Sequence, residues 1–260
     1  MRTIAIANHK GGSGKTTTAV NLGAALAEHD RRVLLLDLDP QASASRWLGA
    51  SDGANGAADL LGAAADLATV VTPTAWARLE LVPASPALVG TERLLAREVG
   101  AESILRRRLE RVPTDAWDYL LIDCPPAAGL LTLNALAAAR ELLLPVEAHV
   151  MGLQGVAQLM DTFELVRDRL NPRLELAGIV ACRVDARTRH AHEVIDELRA
   201  RFGDLVYTSC IRESVRLAEA PSFGQPILGY DGRSAGAVDY RSLAREVLHQ
   251  EKGHDAHGTT

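Results

Sequence analysis

Residues 10–17, Lys10-Gly11-Gly12-Ser13-Gly14-Lys15-Thr16-Thr17, decide the fold of this 260-residue chain. The apolar, β-branched run from Thr3 to Ala7 precedes them and predicts a first strand. Thr16 to Glu28 has the apolar spacing of a helix, and Arg32 to Asp37 predicts a second, buried strand. Strand, glycine-rich loop, helix and strand in this order predict a βαβ unit with parallel strands.

The same alternation continues along the chain. Further strands are predicted at 79–82, 119–122, 141–146 and 176–181, and further helices at 100–111, 130–139, 151–170, 190–202 and about 238–249. This order predicts an α/β fold, in which helices cover both faces of a mostly parallel, twisted sheet. We predict a single domain over residues 1–250 and a polar, disordered tail over residues 251–260. Residues 49–78, rich in alanine and glycine, give no clear prediction.

Composition excludes several classes of protein. Hydrophobic residues make up 47% of the chain, which indicates a full core rather than disorder. No apolar run is long enough for a membrane span or a signal peptide, so we expect a cytoplasmic protein. Cys124, Cys182 and Cys210 are widely spaced, which argues against a disulfide framework or a zinc site and predicts buried free thiols. The net charge of −5 does not by itself indicate a nucleic-acid partner.

The glycine-rich loop has the chemistry of a phosphate-binding loop. Gly14-Lys15-Thr16 matches the end of the GxxxxGK[ST] pattern, although His9 stands where that pattern has its first glycine. Small residues let backbone N–H groups approach phosphate oxygens, and the helix that follows adds a favourable dipole. We therefore predict a P-loop domain that binds ATP and Mg²⁺, with Lys15 on the phosphates and the Thr16 hydroxyl on the metal. The predicted nucleotide-binding residues are Gly11, Gly12, Ser13, Gly14, Lys15, Thr16 and Thr17.

A magnesium site also needs a carboxylate at a strand end. Asp123 follows the apolar run 119–122, which is the Walker B pattern, while Asp37 and Asp39 follow the second strand. Only three lysines occur in the chain, and two of them, Lys10 and Lys15, lie in the loop. This bias indicates that the loop needs ammonium groups rather than guanidinium groups.

Four segments together resemble the ParA/Soj family of DNA-partitioning ATPases, over about residues 2–250. They are KGGSGKTT at 10–17, which is similar to the deviant Walker A box, DLDPQ at 37–41, LIDCPP at 121–126 and RLAEAPS at 216–222. The resemblance implies a sandwich homodimer that forms with ATP and binds nonspecific double-stranded DNA. It also implies a ParB-type partner that stimulates a weak intrinsic hydrolysis and releases the dimer from the nucleoid.

The resemblance implies roles for particular residues. Lys10, Lys15 and Asp39 would be catalytic, with Lys10 reaching across the dimer to the partner's ATP and Asp39 near the attacking water. Thr17 would contact the α-phosphate. Asp123 would hold Mg²⁺ through water, and Asp39 is a second candidate metal ligand. An added cation at the phosphates fits the charge that develops during phosphoryl transfer.

DNA contacts are implied at two arginines. Arg187 and Arg216 match positions at which family members contact DNA without sequence preference, which needs only surface positive charge. Three neighbours are candidates to extend this patch: Arg183, Arg189 and Arg212. The segment 211–215 departs from the family pattern, so no residue is predicted to contact the nucleobase.

Four alternatives stay open. A MinD-type cell-division ATPase would bind membrane through a basic amphipathic C-terminal helix, but residues 251–260 have no apolar face, and we predict no membrane partner. An iron–sulfur reductase would need a second cysteine placed to pair with Cys124 across a dimer. A ParA-like ATPase that positions another cargo on the nucleoid would share the same motifs. A non-enzyme alternative is an ATP-gated scaffold that hydrolyses ATP too slowly to matter without a partner.

Overall fold

Eight strands form one sheet within the described part of the chain, in the order β3-β4-β2-β5-β1-β6-β7-β8. The computed structural model describes residues 1–51, 55–63, 65–113 and 115–257, with the side chains of residues 63, 150–154 and 252–257 excepted. The strands are β1 Arg2–Ile6, β2 Val33–Asp37, β3 Thr72–Pro73, β4 Leu79–Val82, β5 Tyr119–Asp123, β6 Glu141–Glu147, β7 Glu175–Val184 and β8 Ile211–Arg212. All pairings are parallel except that of β3 with β4.

Helices connect the strands. They are α1 Lys15–Glu28, α2 Ser43–Trp47, α3 Leu67–Val70, α4 Ala87–Leu95, α5 Ile104–Leu109, α6 Leu130–Ala138, α7 Val150–Arg169, α8 Arg189–Phe202, α9 Val215–Glu219, α10 Ile227–Tyr230 and α11 Ala235–His257. Single turns of 3₁₀-helix lie at Ala101–Ser103, Gly203–Leu205 and Ala220–Phe223, and a π-helical turn spans Asp59–Ala63. The predicted α/β fold with a mostly parallel sheet is confirmed.

The sheet has an apolar core on each face. In β2, Leu34 and Leu36 pack into one core while Val33 and Leu35 pack into the other, because successive side chains of a strand point to opposite faces. Helices α4 to α8 cover the first face. Helices α1, α2 and α9 to α11 cover the second face. Burial on both sides explains why the central strands are continuous apolar runs in the sequence.

The strand order places the loop after β1 where the direction of the strand connections reverses. The chain leaves β1 for β2 on one side, while β6, β7 and β8 extend the sheet on the other side. In parallel sheets such a reversal leaves a crevice at the carboxyl ends of the strands, where ligands bind. Register brings two acids to the same edge, because Asp37 of β2 is paired with Asp123 of β5.

Helix α11 differs from the prediction. It begins at Ala235 and continues to His257, whereas the sequence predicted a helix over about 238–249 and disorder from residue 251. The expected disorder of residues 251–260 stays a prediction, and residues 258–260 lie outside the described part. A physical reason for the longer helix is the anchoring of Glu251, whose carboxylate accepts hydrogen bonds from the buried Tyr119 hydroxyl and from Arg31 at 2.7 Å.

Candidate active site

The loop between β1 and α1 is shaped by two glycines. Gly12 has φ = 77° and Gly14 has φ = 94°, both in the left-handed region that favours glycine. Gly14 is the N-cap of α1, and no side chain caps the helix there. The loop therefore directs free backbone N–H groups and the positive end of the α1 dipole towards one point, which suits an anion.

The two loop lysines have different surroundings. Lys15 is 7% exposed, and its ammonium donates a hydrogen bond to the Lys10 carbonyl at 3.2 Å. Burial lowers the pKa of Lys15, although Asp123, Cys124 and Asp39 act in the opposite direction. The Lys10 ammonium instead pairs with the Glu147 carboxylate at the end of β6.

A backbone tether fixes Lys10. Its N–H donates to the Asn8 carboxamide oxygen at 3.0 Å, and the Asn8 amide nitrogen donates to the Pro145 carbonyl at 2.7 Å. Asn8 is 2% exposed. Sequence reasoning missed both Asn8 and Glu147, because the contacts of Asn8 with Pro145 and of Lys10 with Glu147 depend on β1 lying next to β6.

The acids at the strand ends divide into one that is hydrogen-bonded and one that is not. Asp37 is fully buried and accepts hydrogen bonds from the Ser45 backbone at 2.9 Å, the Ser45 hydroxyl at 2.7 Å and the Asp39 backbone at 3.0 Å. Neither Asp123 oxygen accepts a hydrogen bond of regular geometry from the described residues, although the Thr16 hydroxyl is close enough to favour the charged form.

Burial changes the titration of this pair. It raises the pKa of Asp37 to about 6, against the effect of the Ser45 hydrogen bonds. Burial and the neighbouring charge of Asp37 raise the pKa of Asp123 well above its ordinary value. A buried carboxylate without a hydrogen-bond donor is costly, and a cation is the partner that removes this cost.

An open cleft of about 420 Å³ joins these groups. The phosphate loop and the start of α1 contribute Gly11, Gly12, Gly14, Lys15, Thr16 and Thr17 to its lining. The segments after β2 and β5 contribute Asp39, Gln41, Ser43 and Pro126. The opposite side comes from β7, β8, α9 and α11 and consists of Cys182, Arg183, Ile211, Arg212, Glu213, Ser214, Leu217, Ala218 and Tyr240. The cleft therefore brings together Lys15, Thr16, Thr17 and Asp39, whose predicted roles stay predictions.

The residues present fit a nucleoside triphosphate with Mg²⁺. Thr16 and Asp39 line the cleft, and Asp123 lies beside them without a regular hydrogen bond. The Thr16 hydroxyl and these carboxylates are the oxygen ligands that Mg²⁺ prefers. Backbone N–H groups and Lys15 supply the donors for phosphates. Ser13 is fully buried, its hydroxyl has no partner among the described residues, and it is not among the described residues that line the cleft.

The five arginines predicted as DNA contacts fall into two groups. The side chains of Arg187, Arg189 and Arg216 are 89%, 93% and 59% exposed, and each pairs with an acid close in sequence. Arg183 and Arg212 line the cleft instead, and Arg212 makes a bidentate pair with Asp239 of α11, its closest contact being 2.6 Å. All five stay predictions as DNA contacts.

The three cysteines are free thiols. Cys124 and Cys182 are buried, as predicted, whereas Cys210 is half-buried. Burial raises the pKa of all three thiols, and that of Cys182 to about 12. Cys182 lies under the phosphate loop, where its Sγ would be 3.4 Å from a Cβ added to Gly14.

The sheet order, the left-handed loop at a helix N-terminus and the strand-end acids together define a P-loop nucleotide-binding protein. A family model described as an AAA domain matches residues 1–176. The chain is 45% identical to the sporulation initiation inhibitor protein Soj of Bacillus subtilis (strain 168) over 94% of this chain and 97% of that protein. It is 42% identical to the chromosome partitioning protein ParA of Caulobacter vibrioides (strain NA1000 / CB15N), over 98% and 97%. The chain belongs to the ParA/Soj family of partitioning ATPases, which confirms the resemblance drawn from the sequence.

Solved structures agree with this assignment. Cobyrinic acid a,c-diamide synthase from Mycobacterium smegmatis, with bound ADP and magnesium, has a TM-score of 0.85 and 33% identity over 98% of this chain and 96% of that one. The ATP complex of a McdA variant from Cyanothece has a TM-score of 0.85 and 26% identity, with 96% of each chain covered. No helix among the described residues is long and apolar enough to cross a membrane.

Proposed function

We propose that this protein is an ATP-hydrolysing switch for the partitioning of DNA. Support comes from the two loop lysines, which lie five residues apart but in different places. Lys15 lines the cleft. Lys10 is not among the described residues that line it, and its ammonium pairs with the Glu147 carboxylate instead. A second loop lysine outside its own cleft suits a role at another subunit's phosphates. We therefore assign Lys10 to the ATP of a partner subunit in a homodimer.

The residues of the cleft divide the work of binding and catalysis. Backbone N–H groups of residues 11–17 and the Lys15 ammonium bind the phosphates, with Thr17 on the α-phosphate. Thr16 and Asp123, the latter through water, would hold Mg²⁺, which would neutralise charge on the phosphate oxygens. Asp39 lines the cleft next to this metal site and positions the attacking water. Lys10, from the other subunit, stabilises charge that develops during transfer.

The exposed arginines support DNA as the partner of the dimer. Arg187 and Arg189 follow β7, and Arg216 follows β8, so all three lie at the carboxyl edge of the sheet that also carries the cleft. Surface guanidinium groups suit phosphate contacts without base recognition. Closing of the dimer over ATP then combines two such patches. We assign the release step to hydrolysis stimulated by a ParB-type protein, and the place of action to the nucleoid in the cytoplasm.

The test is binding to a random-sequence duplex with ADP, ATP and a slowly hydrolysed ATP analogue. The wild-type protein should bind DNA only in the ATP-like states, and its affinity should fall as salt rises because counterions are released. Lys10→Ala should retain nucleotide but lose dimerisation and DNA binding together. Lys252→Ala, which removes the one lysine outside the loop, is the matched control and should bind DNA normally.

Two results would contradict the proposal in different ways. If the wild-type protein binds no DNA in any nucleotide state, the nucleotide site stands but the partner of the dimer is membrane or protein, as in MinD-type ATPases. If Lys10→Ala dimerises normally with ATP, the assignment of Lys10 to the partner's nucleotide fails.

A further inference from the structure

The Lys10 ammonium is held by a small network of charged side chains. Its partner is the Glu147 carboxylate, and Glu147 in turn contacts the Arg183 guanidinium at 3.4 Å. Arg183 also lies 3.8 Å from Glu213, and both residues line the cleft. The charged network Lys10–Glu147–Arg183–Glu213 thus connects the phosphate loop with the part of the cleft formed after β7 and β8.

Only the side chain of Lys10 is free to change partners. Its N–H is bonded to Asn8 and its carbonyl to Lys15, and the Lys10 Cβ lies 3.7 Å from the position of a Cβ built on Gly155. A Lys10 that reaches a second subunit must therefore leave Glu147 by rotation of its side chain. The Lys10 and Glu147 side chains are 31% and 21% exposed, so solvent screens this pair only in part.

The backbone conformation of Arg183 holds its side chain beside the Glu147 carboxylate. It follows Cys182 at an irregularity in the pairing of β7 with β8, and its φ is 53°, in the left-handed region that non-glycine residues rarely adopt. Such a backbone is strained for a residue with a Cβ. Residues in this conformation cluster at functional sites. The conformation places the guanidinium between the two carboxylates.

We infer that Glu147 is a positioning residue that restrains Lys10 within the single subunit, and that Arg183 weakens this restraint by sharing the Glu147 carboxylate. The inference rests on the proposed function, because it matters only if Lys10 acts on a partner subunit's nucleotide. It also separates Arg183 from the DNA-binding arginines. The pKa of Glu147 is lowered, first by Lys10 and then by Arg183, as expected for a shared carboxylate.

The two neighbouring substitutions should act in opposite directions. Glu147→Gln removes the charge that holds Lys10, so the ATP-bound subunits should dimerise at lower protein concentration. Arg183→Asn leaves Glu147 to Lys10 alone, so dimerisation should need higher concentration. Asn tolerates the left-handed backbone, and Arg183→Lys, which keeps the charge, should restore most of the wild-type behaviour. General damage to the fold would move both variants in the same direction.

The measurement is the dimer dissociation constant by sedimentation in Mg²⁺ and a slowly hydrolysed ATP analogue. Exposed ion pairs correspond to about a two- to fivefold effect each, and a dimer contains two of them. We therefore expect the constant to fall about four- to 25-fold for Glu147→Gln and to rise for Arg183→Asn. An unchanged or higher constant for Glu147→Gln, or a lower one for Arg183→Asn, would overturn the inference.

A second measurement reports on the restraint without a dimer. The nucleotide-free subunit is treated with an amine-acylating reagent, and modification of Lys10 and Lys15 is followed by mass spectrometry. Acylation of Lys10 requires its amine to leave Glu147, so the Lys10 rate should rise several-fold in Glu147→Gln, whereas the buried Lys15 should react as in the wild-type protein. Equal acylation rates of Lys10 in both proteins would contradict the proposed restraint.

Failure of this inference can be told from failure of the proposed function. If Lys10→Ala abolishes ATP-dependent dimerisation but Glu147→Gln changes neither measurement, the switch stands and the restraint does not exist. If Lys10→Ala dimerises normally while Glu147→Gln still speeds Lys10 acylation, the ion pair restrains Lys10 but Lys10 has no role in trans.

Discussion

At the scale of single residues, Asp123 is the most informative side chain of the site. It is fully buried, and neither oxygen accepts a hydrogen bond of regular geometry from the described residues. An unpaired buried carboxylate destabilises a fold unless it is neutralised or binds a cation. The position is therefore maintained at a cost to the ligand-free protein, which is the expected signature of a ligand-binding group.

Asp123→Asn tests this interpretation. In the absence of ligand the thermal midpoint should stay the same or rise, because the variant replaces a buried ionisable group by a neutral one without breaking a regular hydrogen bond. The gain in stability from Mg–ATP, about 2.7 kcal/mol when ligand is at 100 times its dissociation constant, should be lost. Differential scanning calorimetry with Mg²⁺ or with EDTA measures both effects. A large loss of stability without ligand would show that Asp123 is structural.

The raised pKa values of the paired acids give a pH dependence with a definite sign. Asp37 has a folded-state pKa of about 6, above the ordinary value of about 3.9 for the unfolded chain. Between these values the folded protein retains a proton that the unfolded chain has released. The free energy of unfolding should therefore fall as pH rises from about 4 to 6, by about 1.4 kcal/mol for each unit of pKa difference.

Denaturant titrations from pH 4 to 7 without Mg²⁺ measure this fall. Asp37→Asn is the matched comparison, because it has no carboxyl at this position and should show a smaller fall. An identical pH profile for both proteins would show that the raised pKa of Asp37 is not the source of the fall.

At the scale of elements, the phosphate loop shows which glycines matter and why. Gly12 and Gly14 are left-handed, whereas Gly11 lies outside that region, and a Cβ added to Gly11 or Gly12 meets no atom within 4 Å. The need for glycine at Gly12 is thus one of backbone conformation. At Gly14 the contact with Cys182 adds to the conformational need.

Gly14→Ala should therefore destabilise the ligand-free protein by about 1–2 kcal/mol from the left-handed backbone, and should weaken nucleotide binding. Gly11→Ala adds the same methyl group three residues earlier, and its stability should stay within about 0.5 kcal/mol of the wild-type value. Chemical denaturation of the two variants makes the comparison. Equal costs at both positions would contradict the conformational argument.

Local sequence patterns predicted the elements that are long or buried on both faces. The strand at 79–82 was placed correctly, and the helix at 190–202 begins only one residue earlier, at Arg189. Short elements gave no periodic signal: α9 has five residues and β8 has two, yet both contribute to the cleft. The length of α11 was missed because Glu251 is anchored by Tyr119 and Arg31, which are distant in sequence.

The candidate site was predictable to the same extent. Residues contiguous in sequence, Gly11 to Thr17, were predicted from their spacing. Asp123 was predicted from its place at a strand end, and the role of Asp39 from the family resemblance; these roles stay predictions. Glu147 was missed because the pairing of β1 with β6 brings it to Lys10. The local contacts of Asn8 with Lys10 and of Ser45 with Asp37 follow no pattern that the sequence analysis used. Arg183 was predicted as a surface contact, since sequence alone does not show that β7 bends its backbone there towards Glu147.

At the scale of the whole molecule, the carboxyl edge of the sheet concentrates the functional groups. Arg187 lies in the loop after β7, and Arg173 lies in the loop before it, at the opposite edge. Both are exposed arginines at the two ends of the same strand. Their comparison therefore separates a local DNA surface from a general effect of positive charge.

Arg187→Ala should lower the affinity of the ATP-bound dimer for random duplex DNA. For each phosphate that the Arg187 side chain neutralises, the slope of log affinity against log salt should become shallower by about 0.9 in the variant. Arg173→Ala removes the same charge from the far edge and should leave the slope unchanged. Fluorescence anisotropy over a series of salt concentrations gives both slopes, and equal slopes for Arg187→Ala and wild type would remove Arg187 from the DNA surface.

The burial of the thiols has a practical consequence for experiments on this protein. Cys124 and Cys182 are almost fully buried against the two apolar cores, and raised pKa values keep all three thiols protonated at neutral pH. Maleimide dyes, which need an accessible thiolate, should therefore label the native protein slowly. A single cysteine introduced on an exposed helix would therefore be labelled much faster than the native thiols. Fluorescence energy transfer between such labels would follow the association of subunits in real time, without replacement of the native cysteines.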